Sequence, residues 1–566
     1  MHSTDGMSRQ GRLAVQRGHG RRLLARLLST VLAASPLLGA QAQPFPAVIE
    51  LSSLLPNAGG DGSEGSVVSA AVQGGAQSLG ASVAWVGDVN DDGFDDALIT
   101  APSSRVDGLP DAGQVYLLYG TPDGLPAQFS VSLLDPAAGG DGSRGMIIPG
   151  LLREGRLGTA GRIGDVNGDG IDDLALGMTE PNPSPGLTFV IYGRSDLPAV
   201  FPLRSLLVGD GSDGAVLVGA GMAPRAAAGS TVGGDCDVNG DGIDDLLIGD
   251  FDIEPSGVAN SGAVFVVFGD ENGLGRFLPL ATLLPQNGGD GSRGFVIVGG
   301  DGDSLGFWGG AAGDVNADGI CDLLYGPYLV FGSLAPFPPL LDAVSLNPEV
   351  GGDGSVGVVL EGRIRAGSRA GDVNHDGIED LVLGDELAEV GGRTEVGQAF
   401  VLYGRDTGWP ARVDVLDVTP EQGGDGTIGF VLRGAARANG ERTGDAVSAA
   451  GDVDGDGIDD LMIGASDLGP FGRAGGVYVV FGRDGGLPAE FDLGTLLVSG
   501  GGDGSQGVVL QGFRGVSDTG ATLAGTGDFN GDGVPDLLVG AAAANTQVGQ
   551  NAGEAYIVYG RQAPPP

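Results

Sequence analysis

GDVNGDGIDDLALG, residues 164–177, places five carboxylate or amide side chains within nine residues, Asp165 to Asp173, directly ahead of an apolar run. Stretches of this kind occur seven times, and successive copies begin 77, 72, 77, 58, 80 and 76 residues apart. The copies are DVNDDGFDD at 88, DVNGDGIDD at 165 and 237, DVNADGICD at 314, DVNHDGIED at 372, DVDGDGIDD at 452 and DFNGDGVPD at 528. A period this long indicates a repeat architecture whose units bury their faces against one another.

The sequence around each acidic stretch also repeats in a fixed order. A strand of small and apolar residues precedes it, as in GASVAWVGD (80–88), and a second strand follows, as in DLLIG (245–249). A third strand alternates apolar and aromatic residues, as in VYVVFG (477–482), and a fourth follows a GGDGS segment, as in GGDGSQGVVLQG (501–512). No sustained helical period lies between them, so each unit is predicted to hold four strands.

Seven four-stranded units predict an all-β fold, a seven-bladed β-propeller of four-stranded antiparallel blades. The ends of the chain also indicate how the ring closes. The first strand of the fourth type, Ser66 to Ala70, comes before any strand of the first type, while the last unit stops at its third strand near Gly560. We therefore expect this N-terminal strand to complete the last blade, which leaves no long edge open.

The nine residues of each acidic loop, numbered from the first Asp, place oxygen-bearing side chains at positions 1, 3, 5 and 9, with Gly at position 6. Alternate side chains of a tight loop can point inward, Gly permits the turn, and the backbone carbonyl of position 7 adds a ligand, which together form the oxygen cage that Ca²⁺ prefers. An EF-hand would need Glu at position 12 and flanking helices, but position 12 here is apolar or aromatic and lies in the next strand. Asp at position 9 must therefore close the cage.

This numbering predicts up to seven structural Ca²⁺ sites. The predicted ligands are Asp88, Asn90, Asp92, Phe94 and Asp96; Asp165, Asn167, Asp169, Ile171 and Asp173; Asp237, Asn239, Asp241, Ile243 and Asp245; Asp314, Asn316, Asp318, Ile320 and Asp322; Asp372, Asn374, Asp376, Ile378 and Asp380; Asp452, Asp454, Asp456, Ile458 and Asp460; and Asp528, Asn530, Asp532, Val534 and Asp536. Position 8 varies from Asp to Cys, Glu and Pro, so it is not a required ligand.

These motifs resemble the FG-GAP repeats of the integrin α-subunit β-propeller and of its bacterial relatives. The resemblance rests on LGASVA (79–84), the loop DVNGDGIDD, the DLLIG or DLLVG strand and VYVVFG, and it covers about residues 64–560. Leu79-Gly80 stands where that family has Phe-Gly. The resemblance implies loops that bind Ca²⁺ and stabilise the propeller, and partners that bind mainly on another face.

The N-terminal segment differs in composition from the repeats. Arg12, Arg17, Arg21 and Arg22 precede a mostly apolar run, Leu23 to Leu38, and an A-x-A site at Ala40 to Ala42, so residues 1–42 are predicted to be an export signal. The alternative is an N-terminal membrane anchor. Residues 43–561 would then form the propeller and 562–566 a Pro-rich tail, in a protein that is secreted, periplasmic or at the cell surface.

Charge and composition narrow the class of partner. The formal net charge is -44, and every one of the 29 basic residues is Arg, so nucleic acid is a poor partner. No later stretch is apolar and long enough to span a bilayer. The two cysteines, Cys236 and Cys321, adjoin loop positions in neighbouring units, and we expect them to be unpaired small residues, with a disulfide as the alternative.

The expected function is that of a binding or adhesion module for a protein or a glycan. Acidic loops and GGDGS segments would share one face, where the Asp of GGDGS favours a turn over support of a metal site. Variable loops form the opposite face, and the fourth unit, whose DLLYG runs through Pro327 into YLVFG, would leave a gap there. Catalysis has little support, because His375 is the single His beyond the export signal and lies at a nonligand position. The alternative is a secreted carbohydrate-active enzyme that resembles polysaccharide lyases.

Overall fold

The computed structural model describes residues 45–71, 76–179, 185–221, 228–437, 440–468 and 474–562. The predicted export signal, residues 1–42, lies outside the described residues, as does all of the predicted tail except residue 562. The described residues form 34 strands, which are two to nine residues long.

The strands from the first third of the chain are β1 (Val48–Glu50), β2 (Gly65–Ser69), β3 (Val83–Trp85), β4 (Ala97–Ala101), β5 (Gln114–Leu118), β6 (Gln128–Ser130), β7 (Gly145–Pro149), β8 (Leu157–Arg162), β9 (Leu174–Met178) and β10 (Leu187–Ile191). Those from the middle third are β11 (Gly214–Val218), β12 (Val232–Gly233), β13 (Leu246–Asp250), β14 (Ala263–Val267), β15 (Phe277–Pro279), β16 (Gly294–Val298), β17 (Gly309–Gly313), β18 (Asp322–Tyr325), β19 (Tyr328–Val330), β20 (Leu340–Asp342) and β21 (Gly357–Glu361). Those from the last third are β22 (Ala366–Gly371), β23 (Asp380–Asp385), β24 (Gln398–Leu402), β25 (Arg412–Asp414), β26 (Gly429–Arg433), β27 (Thr443–Gly451), β28 (Asp460–Ala465), β29 (Gly476–Val480), β30 (Glu490–Asp492), β31 (Gly507–Gln511), β32 (Thr522–Gly527), β33 (Asp536–Ala541) and β34 (Glu554–Val558).

The strands form seven sheets, one for each repeat, and we call them blades 1 to 7 in the order of their acidic loops. In order from the first strand outward, the blades are β3-β4-β5-β7, β8-β9-β10-β11-β15, β12-β13-β14-β16-β20, β17-β18-β19-β21-β25, β22-β23-β24-β26-β30, β27-β28-β29-β31-β1 and β32-β33-β34-β2-β6. The first four strands of each blade are antiparallel, as predicted.

The blades close into a ring. First strands of successive blades contact one another, from β3 to β8, β12, β17, β22, β27 and β32, and β32 in turn contacts β3. Seven clusters of buried apolar residues each draw on two neighbouring blades, so every interface between blades has its own core. Strands are buried on both faces for this reason, and the predicted seven-bladed β-propeller is confirmed.

Residues 45–71, which contain β1 and β2, close the ring, as predicted. Strand β2 pairs antiparallel with β34, and Val67 lies opposite Tyr556, so Gly65–Ser69 supplies the fourth strand of blade 7. Strand β1 adds a second link, because it pairs in parallel with β31 of blade 6. The N-terminal segment therefore spans the last two blades.

The expectation of four strands per blade falls short in six of the seven blades. The connection between the third and fourth strands of one blade donates a short parallel strand to the outer edge of the preceding blade, as β15 does to β11. In blade 1 this fifth strand is reduced to a single bridge between Ile147 and Val200. Each of these connections covers an edge that four strands would leave open.

Short helices follow the fifth strands. The 3-10 helices are Leu51–Leu54, Pro56–Ala58, Val131–Leu134, Pro136–Ala138, Leu280–Leu283, Pro285–Asn287, Ala343–Leu346, Pro348–Val350, Val415–Val418, Pro420–Gln422, Leu493–Leu496 and Val498–Gly500, and α1 (Arg204–Val208) takes their place in blade 2. Among the described residues, none of the helices is long and apolar enough to span a bilayer.

Candidate metal sites in the acidic loops

All seven acidic loops join the first and second strands of their blades and lie on one face of the ring. Position 6 is Gly in every loop, with φ between 85° and 95°, and position 4 also adopts a left-handed conformation, including Ala317 and His375. Left-handed backbone is accessible to Gly without strain, which explains its presence at position 6. The two left-handed residues curl each loop so that its odd-numbered side chains turn inward.

The loop of blade 2 illustrates a hydrogen-bond pattern that all seven loops share. The two carboxylate oxygens of Asp165 accept hydrogen bonds from the backbone N–H groups of Asp169 (3.0 Å) and Gly170 (2.6 Å). Asn167 Oδ1 also accepts from the N–H of Asp169, and Asp169 Oδ1 accepts from the N–H of Ile171. The structure thus brings together the side-chain oxygens predicted at positions 1, 3 and 5. Equivalent bonds form in the other loops.

Position 9 is the buried end of each site. Asp380 is fully buried, and its two oxygens accept hydrogen bonds from the N–H groups of Val373, at position 2, and of Gly404, at the end of the third strand. The same pair of bonds fixes the Asp at position 9 in every blade. This carboxylate therefore ties the acidic loop to the sheet below it.

Burial has a clear electrostatic consequence at position 9. Loss of solvation raises the pKa of these carboxyls, and the negative side chains at positions 1 and 5 raise it further. The pKa rises to about 8 for Asp173, Asp245, Asp322, Asp380 and Asp536, and it rises also for Asp96 and Asp460. Within the described parts of the chain, no Arg or His forms an ion pair with these seven groups. The electrostatics of each loop thus favour a bound cation.

The loop of blade 6 carries Asp at position 3 in place of Asn. Carboxylate oxygens of Asp452, Asp454 and Asp460 all lie within 4.8 Å of one another. Desolvation and repulsion from Asp456 and Asp452 raise the pKa of Asp454 to about 6. Three hard oxygens at this separation match the donor set of a Ca²⁺ site. Ion binding by the 35 predicted ligands, including the carbonyls of position 7, stays a prediction.

Position 8 has a role that the sequence did not reveal. Its carboxylate reaches the neighbouring loop, where it accepts a hydrogen bond from the backbone N–H of position 1 in the preceding blade. This bond forms at four of the interfaces between neighbouring loops, which we call seams. With the N–H donor first and the carboxylate acceptor second, the pairs are Asp88 and Asp172, Asp165 and Asp244, Asp372 and Asp459, and Asp528 and Asp95, at 2.9 to 3.0 Å. The residue before each loop is usually Gly because position 8 crowds it, and a Cβ on Gly164 would lie 2.1 Å from Asp244 Oδ2.

The expectation of unpaired cysteines is wrong, because Cys236 and Cys321 form a disulfide with their Cα atoms 5.5 Å apart. Cys236 occupies the position that Gly164 holds in blade 2, and Cys321 is the position-8 residue of blade 4. The covalent bond therefore replaces the Gly and Asp pair at the seam between blades 3 and 4. Alignment of the repeats places the cysteines just before one loop and at position 8 of the next, and the structure shows that these two positions meet across a seam.

Charged residues just before the loops also meet inside the ring of first strands. Asp235 in blade 3 pairs with Arg162 in blade 2 at 2.9 Å and with Arg369 in blade 5 at 3.4 Å. Blade 5 does not adjoin blades 2 or 3, so this triad crosses the interior of the ring. The arginines also compensate part of the negative charge of the position-8 carboxylates near them.

The GGDGS segments form turns, as expected. Asp141 Oδ1 accepts hydrogen bonds from the N–H (3.0 Å) and the hydroxyl (2.6 Å) of Ser143, which is a compact Asx turn. The hydrogen bonds hold the pKa of the exposed Asp141 carboxyl below its usual value. The same turn forms at Asp61, Asp210, Asp290, Asp353, Asp425 and Asp503.

Comparison with known proteins agrees with this geometry. Residues 79–118 and 519–558 match the FG-GAP repeat family. The chain is 31% identical to integrin alpha-5 of Xenopus laevis over 188 residues, which are 31% of this chain and 14% of that protein. It is 29% identical to integrin alpha pat-2 of Caenorhabditis elegans over 240 residues, 41% of this chain and 17% of that protein.

A second group of similar proteins consists of phospholipases instead of integrins. The chain is 33% identical to phosphatidylinositol-glycan-specific phospholipase D of Bos taurus over 171 residues, 30% of this chain and 17% of that protein. All of these matches cover well under two thirds of the relative. The FG-GAP repeats, the integrin α relatives and the ring of seven blades together support an integrin-like FG-GAP β-propeller.

Proposed function

We propose that this protein is an exported binding or adhesion module whose propeller is stabilised by Ca²⁺ and meets a protein or glycan partner on the face opposite the acidic loops. The observation that carries the proposal is the buried Asp at position 9 of all seven loops, which lies among other carboxylates and forms no ion pair with any Arg or His that the structure describes. The negative charges in such an arrangement repel one another, and this repulsion is relieved when a cation binds or when the buried carboxyl is protonated.

The donor set fits Ca²⁺ in particular. Each loop offers the side chains of positions 1, 3, 5 and 9 and a backbone carbonyl, all of them oxygen ligands on a loop rich in Gly. Mg²⁺ prefers a smaller, rigid octahedral shell and retains its waters, so this cage suits it less well. Bound Ca²⁺ would neutralise the loops and hold the first and second strands of each blade together. Its role here is structural.

The opposite face supports the binding role. There the links from one blade to the next differ in length, and the loops between second and third strands, about 12 residues long in blades 1, 3, 5 and 7, shorten to two residues in blade 4, whereas the acidic loops keep one geometry. Variable loops on a rigid scaffold are typical of binding surfaces. The integrin α relatives favour a protein partner, and export would follow from the predicted signal in residues 1–42.

The second candidate function is that of an enzyme, and it is supported by the similarity to a phospholipase D. That relative is named as specific for phosphatidylinositol-glycan, and the matched segment is 17% of its length. The alternative considered from the sequence, a carbohydrate-active enzyme, would also act on a glycan. Either kind of enzyme would form a product from its substrate, whereas a binding module would not.

The experiment is a screen of immobilised protein against glycan and protein libraries, in Ca²⁺ and in chelator, that scores retention and cleavage separately. The proposal expects retention without product, weakened by chelator through loss of stability. Product whose formation disappears when one Tyr or Arg of the opposite face is replaced would contradict a pure binding role. Absence of any retained partner would contradict the binding role itself.

A further inference from the structure

The face opposite the acidic loops has a groove at blade 4. Strands β18 and β19 are joined there by Gly326 and Pro327 alone, and this short turn accounts for the spacing of 58 residues between two acidic loops. A cavity of about 350 Å³ opens beside it. Its lining, which we call the blade-4 groove, consists of Phe307, Trp308, Gly362, Arg363, Ile364 and Arg365.

Aromatic side chains form one part of the groove. Phe307 is 63% exposed, which is unusual for so large an apolar side chain, and its ring meets Phe251 edge-on at 5.4 Å. Trp308 is fixed against blade 5, because a Cβ on Gly367 would lie 2.8 Å from the ring atom Cζ3 of Trp308. Exposed aromatic rings held in place by packing are typical anchors for a partner.

Two arginines form the other part. Arg363 and Arg365 are exposed, while Ile364 between them packs on the core between blades 4 and 5. Both arginines line the same groove, and residues two apart along a chain are separated by at most roughly 7 Å. Arg365 Nε lies 3.7 Å from Glu386, and Arg363 Nη1 donates to the carbonyl of Leu387 at 3.4 Å. These contacts use one nitrogen of each guanidinium, and both arginines also attract the nearby carboxylate of Asp385. Each guanidinium carries five N–H donors, so donors remain for a ligand.

We propose that the blade-4 groove binds an extended acidic segment of a partner protein, in which carboxylates two residues apart alternate with apolar side chains. The carboxylates would pair with Arg363 and Arg365, since guanidinium groups bind carboxylates in a two-pronged geometry. The apolar side chains would cover Phe307 and Trp308. Because the chain as a whole carries a formal charge of -44, an acidic segment is repelled elsewhere and this arginine pair selects the groove.

This inference rests on the proposed binding function of the same face. The test uses the full exported chain with Ca²⁺ and a fluorescent peptide of alternating glutamate and leucine, with a glutamine and leucine peptide as its neutral counterpart. Fluorescence anisotropy measures affinity at physiological salt. Wild-type protein should bind the glutamate peptide and bind the glutamine peptide at least about tenfold more weakly.

The variants locate the site. Arg363→Ala with Arg365→Ala should weaken binding about tenfold or more, and Phe307→Ala should also weaken it. Arg153→Ala removes an exposed arginine from the link between blades 1 and 2 on the same face, and it should leave affinity within about twofold of the wild type. Unchanged melting temperatures would show that the variants are folded.

Equal binding of both peptides, undiminished binding by the double variant, or no binding of the glutamate peptide at millimolar concentration would overturn the inference. Binding of an oligouronate in place of the peptide would assign the groove to anionic glycans and would also overturn it. The groove and the proposed binding function can be refuted independently of each other. A partner from the library screen that binds the double variant as tightly as the wild type would preserve the binding role and refute the groove.

Discussion

The seam between blades 3 and 4 offers a sharp test of how neighbouring blades are held together. At this seam a disulfide between Cys236 and Cys321 stands where four of the other seams have a Gly and an Asp that accepts a backbone hydrogen bond. Cys236→Gly with Cys321→Ala removes the bridge and provides no substitute. Cys236→Gly with Cys321→Asp should rebuild the hydrogen bond found between Asp165 and Asp244.

The magnitudes follow from the loop that the bridge closes. A sequence separation of 85 residues gives a loss of about 4.6 kcal/mol by the chain-entropy relation. Unfolding entropy of about 1 kcal/mol per degree, expected for a propeller of roughly 500 residues, converts this to a melting temperature lower by about 4 °C. A hydrogen bond to a charged acceptor restores about 1.5–3 kcal/mol, or roughly 2 °C.

Differential scanning calorimetry in Ca²⁺ measures both steps. After treatment with a reductant, the wild-type protein should have the same melting temperature as the Gly and Ala variant. The reductant should not change the melting temperature of either variant. The Gly and Asp variant should melt between the other two. If it melts no higher than the Gly and Ala variant, the carboxylate at position 8 does not hold neighbouring blades together, and our explanation of these seams is wrong.

Three further predictions address closure, turns and metal ligands. A chain that begins at residue 76 lacks β1 and β2 and leaves the edges of two blades open, so we expect it to aggregate on size-exclusion chromatography. Adding a peptide of residues 45–71 should make it monomeric. A monomer without the peptide would refute closure of the ring by these strands. Asp141→Ala should lower the melting temperature by about 1 °C or less and leave the calcium stoichiometry unchanged in titration calorimetry, whereas loss of a site would give this Asp a metal role. Asp380→Ala should remove one bound Ca²⁺ per chain, and an unchanged stoichiometry would exclude position 9 as a ligand.

Much of the fold follows from periodicity. Seven acidic loops with equivalent flanks determine the number of blades, and the early strand near Ser66 indicates how the ring closes, because a strand without its own unit must pair elsewhere. The loop side chains could be numbered for the same reason. Hydrogen bonds at positions 1, 3, 5 and 9 then follow the same pattern in each blade.

Features that depend on contacts between blades could not be predicted in this way. Fifth strands such as Gln128–Ser130 are three residues long and pair with the preceding blade, so neither their length nor their local pattern distinguishes them from a loop. Pairing of Cys236 with Cys321 depends on the distance between blades, which spacing along the chain does not give. The short turn at Pro327 predicted a gap, but the aromatic and arginine lining comes from two separate segments, the links that enter and leave blade 4.

The central claim is that Ca²⁺ in the seven acidic loops stabilises the ring. The most direct measurement is the melting temperature of the wild-type protein by calorimetry, in saturating Ca²⁺ and after chelation. Occupancy at a hundredfold excess over Kd adds about 2.7 kcal/mol for each site, or about 19 kcal/mol for seven sites. At about 1 kcal/mol per degree, chelation should lower the melting temperature by roughly 15–20 °C, and added Ca²⁺ should restore it. Identical melting temperatures in Ca²⁺ and in chelator would contradict the account.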